Sequence, residues 1–229
     1  MKIIKKLIWL IILTLIVVVG IYTAIGYGMY KKVLAETPID VKIEQIKSKK
    51  NYTTFENLPK TYIEAVIAVE DHRFYKHNGV DIYGITRAII NDIRMWELRE
   101  GGSTITQQLA KNIYFTQNRK LTRKIAETFM ALKIEKECSK EEIFELYVNT
   151  SYFGDGYYCV GDASQGYFDK DPIDMTDYES TLLAGIPNAP SVYAPTNNFE
   201  LATQRQRQVI NRMVECEYLT TEEAEKIQK

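Results

Sequence analysis

The hydrophobic pattern of the chain changes character once, near residue 32. From Leu7 to Tyr30 there are 24 residues without a charge. As a helix they extend about 36 Å at about 1.5 Å per residue, enough to cross a bilayer with some tilt. A cleavable secretory leader has a shorter apolar region, roughly 7–15 residues, closed by a small-x-small site. Here Tyr27, Met29 and Tyr30 stand instead, so the pattern predicts an uncleaved anchor. Residues 31–60 read as a stem with short extended pieces such as Val41-Lys42-Ile43. Thr61-x-x-Glu64, behind Pro59, has the form of a capping box. Ile63, Val66, Ile67 and Glu70 fall at i, i+3, i+4 and i+7, one helical face. A further apolar helix runs from Ile82 to Leu98 and breaks at Gly101-Gly102. Thr104-x-x-Gln107 opens the next. Leu121, Ile125, Phe129 and Leu132 form the apolar stripe of a helix reaching about Lys136. Ser139-x-x-Glu142 starts another, which ends at Asn149. A Gly- and Tyr-rich loop and a short helix follow. Then come Asp177–Ile186, a Pro-bounded loop, Glu200–Glu215 and a last short helix behind Thr220-x-x-Glu223. Few stretches alternate like strands, so the pattern predicts a mainly α fold.

Charge divides the chain in the same place. The first 32 residues carry five lysines and no acid, while the whole chain has a formal net charge of −1, so the remainder carries −6. Lys2, Lys5 and Lys6 favour a cytoplasmic N-terminus, although Lys31 and Lys32 count against it. An acidic domain argues against nucleic acid as a partner. Inside it, residues 101–126 hold no acid, yet contain Lys111, Arg119, Lys120, Arg123 and Lys124. A local basic patch beside a Gly-rich helix entry suits a phosphate or pyrophosphate. Cys138, Cys159 and Cys216 are odd in number and form no C-x-x-C, which predicts plain thiols rather than a zinc site.

The candidate chemistry concentrates in "AVIAVEDHRFYKHNGVD", residues 65–81, which holds both histidines of the chain. Glu70 shares a helical face with the core at the negative end of the helix dipole. Partial burial and the dipole both disfavour its charged form, moving it toward the range of a general base. The alternative is a solvated helix end. His72 and His77 are five apart, off any common helical face, and no third metal ligand stands at usable spacing. Packing or positioning roles are expected for both, and no metal site. Arg123 and Glu127 could be a surface ion pair, although Arg before Glu is the poorer order.

Five stretches in order carry a resemblance. "EDHRFYKHNG", "GGSTITQQLAKN", "RKIAE", "KEEIFELYVNTSYFGDG" and "LAGIPNAPSVYAP…RQRQVINRM" resemble the successive motifs of the peptidoglycan glycosyltransferases, family 51, over roughly residues 55–225. No transpeptidase domain follows, so the chain is similar to the monofunctional, membrane-anchored members. The resemblance implies a lysozyme-like helical domain with a membrane-associated jaw. The implied organisation is a cytoplasmic tail (1–6), an anchor (7–30), a stem (31–54) and a glycosyltransferase domain (55–229) on the outer face. It implies polymerisation of lipid II into β-1,4-linked glycan with release of undecaprenyl pyrophosphate. Glu70 matches the general base and Glu127 the second acid. Lys111, Arg119, Arg123 and Lys124 match contacts to the donor pyrophosphate. Ser103, Thr104, Gln107 and Gln108 match cleft positions, and Glu142 and Asn149 match the acceptor side or its supports. Asp71, Phe74, His77 and Gly79 would hold the Glu70 loop. No cofactor is required, although a divalent cation (Mg or Mn) can assist at the pyrophosphate. Expected partners are lipid II, the growing glycan, the cell membrane and other wall-synthesis proteins. Departures fall at Tyr158-Cys159-Val160, Ala163-Ser164 and Tyr167-Phe168-Asp169, where the family usually has a Tyr-Gly-Ile-like segment, Ala-Ala and Tyr-Phe-Gly. The rival readings are a muramidase-like hydrolase, which needs no basic patch, and an inactive membrane-anchored scaffold.

Overall fold

The first helix, Lys2–Glu36, continues past the apolar stretch for a further turn and a half. It is long and apolar enough to cross a membrane, and only its last third meets the rest of the protein. The computed structural model describes residues 2–87, 102–116 and 120–228. Of the helix expected from Ile82 to Leu98, residues 82–87 are helical and the rest lies outside the described residues, as do Gly101 and Arg119. Among the described residues there is no strand.

Two groups of helices share one core. Lys60–Glu70 lies against Asp177–Gly185 and Phe199–Glu215, while Ile105–Tyr114 lies against Leu121–Glu137 and Lys140–Val148. Tyr62, Ile67, Phe74, Leu109, Phe144 and Val209 join the two groups. The stem is helical, correcting the extended reading: Ile39–Lys47 is an α-helix. Ile39, Ile43 and Ile46 recur at i, i+4 and i+7, and all three pack on the core. That period is invisible in the three-residue window Val41–Ile43.

Of the four capping boxes expected from the sequence, at Thr61, Thr104, Ser139 and Thr220, two are complete. Thr104 and Gln107, and Thr220 and Glu223, form complete capping boxes. Thr61 does not, because the helix begins one residue earlier behind Pro59. The Thr61 hydroxyl instead donates to Asp177 at 2.5 Å. Ser139 caps from its own side only, since the Glu142 carboxylate takes Lys47 at 2.6 Å. Asp169 closes Val160–Phe168 in the left-handed region at φ 55°. Its carboxylate accepts from Gln165 Nε2 at 2.6 Å.

The stripe on Leu121–Glu137 faces elsewhere than the core. Leu121 is 62% exposed, whereas Ile125 and Phe129 meet the first helix. The buried face carries Ala126, Glu127, Met130, Ala131 and Ile134. Glu127 therefore points inward.

Candidate active site

Glu70 ends its helix at the seam between the two helix groups. Its carboxylate accepts from Gln108 Nε2 at 2.7 Å. The Gln108 carbonyl in turn accepts from Tyr147 Oη at 3.4 Å, which sets the way the amide points. Burial pushes the Glu70 carboxyl above the ordinary carboxylate range, against the pull of the Gln108 hydrogen bond and of the Arg205 and Lys111 charges. The histidine-rich stretch thus yields a tuned carboxylate rather than a solvated helix end.

The next residue points the other way. Asp71 is 7% exposed. It accepts from the Ile105 N–H at 3.0 Å and from His77 Nε2 at 2.9 Å. His77 Nδ1 accepts from the Gly79 N–H at 3.2 Å, so the ring carries its proton on Nε2 and donates it to Asp71. Gly79 offers its carbonyl to the Thr104 hydroxyl at 2.7 Å. Its φ is +88°, and a Cβ there would stand 3.1 Å from the Ala131 backbone, so glycine is required on both counts. Phe74, fully buried, fills the space beneath, with the Lys140 ammonium 4.5 Å from its ring centroid. Asp71, Phe74, His77 and Gly79 together fasten the Glu70 loop to the start of Ile105–Tyr114. That fastening brings Gln108 to Glu70. His72 stands apart, accepting from Arg87 at 2.9 Å. Burial and the Arg87 charge push its imidazole below the ordinary value.

Ser103, Gln107, Gln108, Lys111, Arg123, Lys124 and Glu127 line one cleft of about 330 Å³. Glu127 is 1% exposed at its wall. It pairs with the Arg123 guanidinium and stands 3.6 Å from Lys124 Nζ. The Arg–Glu pair exists, but in the cleft rather than on the surface. Lys124 also donates to Ser103 Oγ at 2.6 Å. Burial pushes its ammonium below the ordinary lysine range, against the opposing pull of Glu127. Lys111, Arg123 and Lys124 leave the cleft cationic despite Glu127, and Arg123 Nε is buried with no partner.

The family model described as Transglycosylase matches residues 39–214. The chain belongs to the transglycosylase family. It is similar to penicillin-binding protein 1A of Vibrio cholerae serotype O1, 40% identical over 241 residues, covering 97% of this chain and 29% of that protein. It is also similar to penicillin-binding protein 1A of Neisseria flavescens, 42% identical over 183 residues, covering 80% of this chain and 23% of that protein. The chain therefore spans less than a third of either relative. The crystal structure of penicillin-binding protein 1A from Haemophilus influenzae overlays at a TM-score of 0.47 and 22% identity, over 78% of this chain and 17% of that one, too loose a likeness to define a fold.

Two residues matched to the family's motifs lie away from the cleft. Asn149 is fully buried, and its amide bonds both the N–H and the carbonyl of Thr53, at 2.9 and 2.7 Å. One turn earlier, Glu145 accepts from the Phe55 N–H at 2.8 Å and from the Tyr52 hydroxyl. With Glu142 on Lys47, this face of Lys140–Val148 clamps the stem. Of the two expectations for Glu142 and Asn149, the acceptor side or its supports, these contacts favour the supports. Thr104 and Gln107 are also largely buried as cap partners. Arg119 lies outside the described residues. Arg205 was missed: its charge reaches Glu70, and its guanidinium carbon lies 5.9 Å from the Tyr193 ring centroid. The signal was present, because Arg205 precedes Val209 and Met213 at i+4 and i+8, on the apolar stripe of its helix. Cys138 and Cys159 are buried, Cys216 is half-buried, and all three are free thiols.

Proposed function

We propose that this chain is a glycosyltransferase that polymerises lipid II into β-1,4-linked peptidoglycan with inversion, releasing undecaprenyl pyrophosphate. The observation that carries the reading is a desolvated carboxylate, Glu70, joined through Gln108 to a cleft lined by Lys111, Arg123 and Lys124. Glu70 takes the proton of the acceptor's 4-hydroxyl. That oxygen forms the new bond to C1 of the donor sugar as the bond from C1 to the pyrophosphate oxygen breaks. The electron pair leaves on the pyrophosphate, where preorganised cations stabilise it without reorganising. Glu127 holds Arg123 and Lys124 in place for this role, and Arg119 joins them by its resemblance. A hydrolase expels a sugar hydroxyl and needs a proton donor there rather than cations.

The cleft's residues do not suit a protein-held divalent cation. Glu127 is committed to Arg123 and Lys124, and among the described residues no three metal-binding groups cluster. A cation here would travel on the substrate's phosphates. The first helix serves as a membrane anchor with a cytoplasmic N-terminus, placing the domain on the outer face beside its lipid-linked substrate and other wall-synthesis proteins.

The deciding experiment gives labelled lipid II to the detergent-solubilised protein. The wild type yields lysozyme-digestible polymer. Glu70→Gln loses about 10²–10⁴-fold, the contribution of a positioned base. A wild type inert with lipid II across detergents and divalent cations would overturn the reading.

A further inference from the structure

The first helix reaches the cleft indirectly, through one glycine. Gly26 is its single buried residue. A Cβ placed there would stand 2.6 Å from Ile125 Cγ2, 2.8 Å from Ile125 Cβ and 2.9 Å from the Thr122 carbonyl oxygen. Two of these atoms belong to a stiff β-branched side chain and the third to backbone, so none can yield without moving the helix. Around this contact the aromatic rings close the seam. Tyr27 meets Phe129 edge-on with centroids 5.2 Å apart, and Tyr30 lies 6.0 Å from the same ring. Gly20 and Gly28, on the same helix, meet nothing within 4 Å.

What lies across the contact gives it meaning. Ile125 follows Arg123 and Lys124 directly and precedes Glu127 by two residues. One face of Leu121–Glu137 rests on the first helix while the other supplies three of the cleft's four charges. We infer that Gly26 is a positioning residue for the reaction: the close approach it permits seats Leu121–Glu137 so that Arg123, Lys124 and Glu127 stand at the cleft. Small residues allow helices to approach this closely within and beside membranes. Helix propensity does not explain a glycine here, since it disfavours glycine by about 1 kcal/mol relative to alanine. The inference rests on the proposed reading of the cleft.

The test is a graded bump in the whole, detergent-solubilised chain. Gly26→Leu lowers kcat/KM for lipid II polymerisation at least tenfold, and Gly28→Leu changes it less than twofold. Gly26→Ala, a smaller bump, falls between. Amide hydrogen exchange gives a readout free of turnover: Gly26→Leu speeds exchange across Leu121–Glu137 while Gly28→Leu does not. Gly26→Leu matching Gly28→Leu in both readouts overturns the seat. An inert wild type overturns the proposed function instead, and the exchange comparison then decides the seat by itself.

Discussion

Glu70 and Asp71 are neighbours in sequence and opposites in energetics. Glu70 has a raised pKa in the fold, so the unfolded chain releases that proton first. The stability it contributes is complete below its unfolded pKa and is lost as pH rises through the folded value. At neutral pH the ionised group is a net cost, and Glu70→Gln is expected to raise Tm. Asp71→Asn is expected to lower Tm, because it weakens charge-assisted bonds to Ile105 and His77 in a buried place. Thermal melts of the two variants check both signs. The same environment fixes the pH dependence of turnover. The acidic limb of kcat/KM should lie above the ordinary glutamate value of about 4.3, because Glu70 must be ionised to act. The alkaline limb should fall below the ordinary lysine range, because Lys124 has a lowered pKa. An acidic limb at the ordinary value would remove Glu70 as the base. At this scale the sequence was informative where motif and pattern agreed, as for Glu70 and the cationic cleft. It left Asn149 open between the acceptor side and its supports, because its burial depends on a stem that no local pattern places beside it.

Capping chemistry is local, which is why helix starts were readable and helix partners were not. Thr104 and Thr220 form the same box in two places, one at the cleft and one remote from it. Losing an N-cap costs typically about 1 kcal/mol. Both Thr104→Ala and Thr220→Ala should therefore lower Tm, Thr104→Ala the more because it also leaves the Gly79 carbonyl without its donor, and only Thr104→Ala lowers kcat, because Thr104 thereby holds the Glu70 loop. Equal losses of kcat in both variants would show that stability alone sets turnover. The failures at this scale have equally physical causes. A proline took the cap position ahead of Thr61. The stripe of Leu121, Ile125, Phe129 and Leu132 was a true helical signal with the wrong addressee: part of it meets the first helix, and the face left for the core carries a glutamate. Periodicity reports that a face is apolar and says nothing of which neighbour it meets.

For the whole molecule, the three thiols make a reporter of orientation. Burial pushes Cys138 up to about 12 and Cys159 up to about 11, leaving half-buried Cys216 as the accessible one. A membrane-impermeant maleimide on spheroplasts should label Cys216 alone, slowly, with Cys138 and Cys159 reacting only after denaturation. Labelling that requires permeabilised membranes would reverse the proposed topology. Only Thr37 and Pro38 separate the first helix from Ile39–Lys47, and the first helix is itself docked on the domain. With the first helix embedded, the cleft would have no tether on which to roam and would sit at a fixed height over the bilayer. Encounter with a lipid-linked donor then becomes a search in two dimensions. The rate would follow the number of donors per unit of membrane area, and diluting the vesicles at constant lipid composition should leave it unchanged.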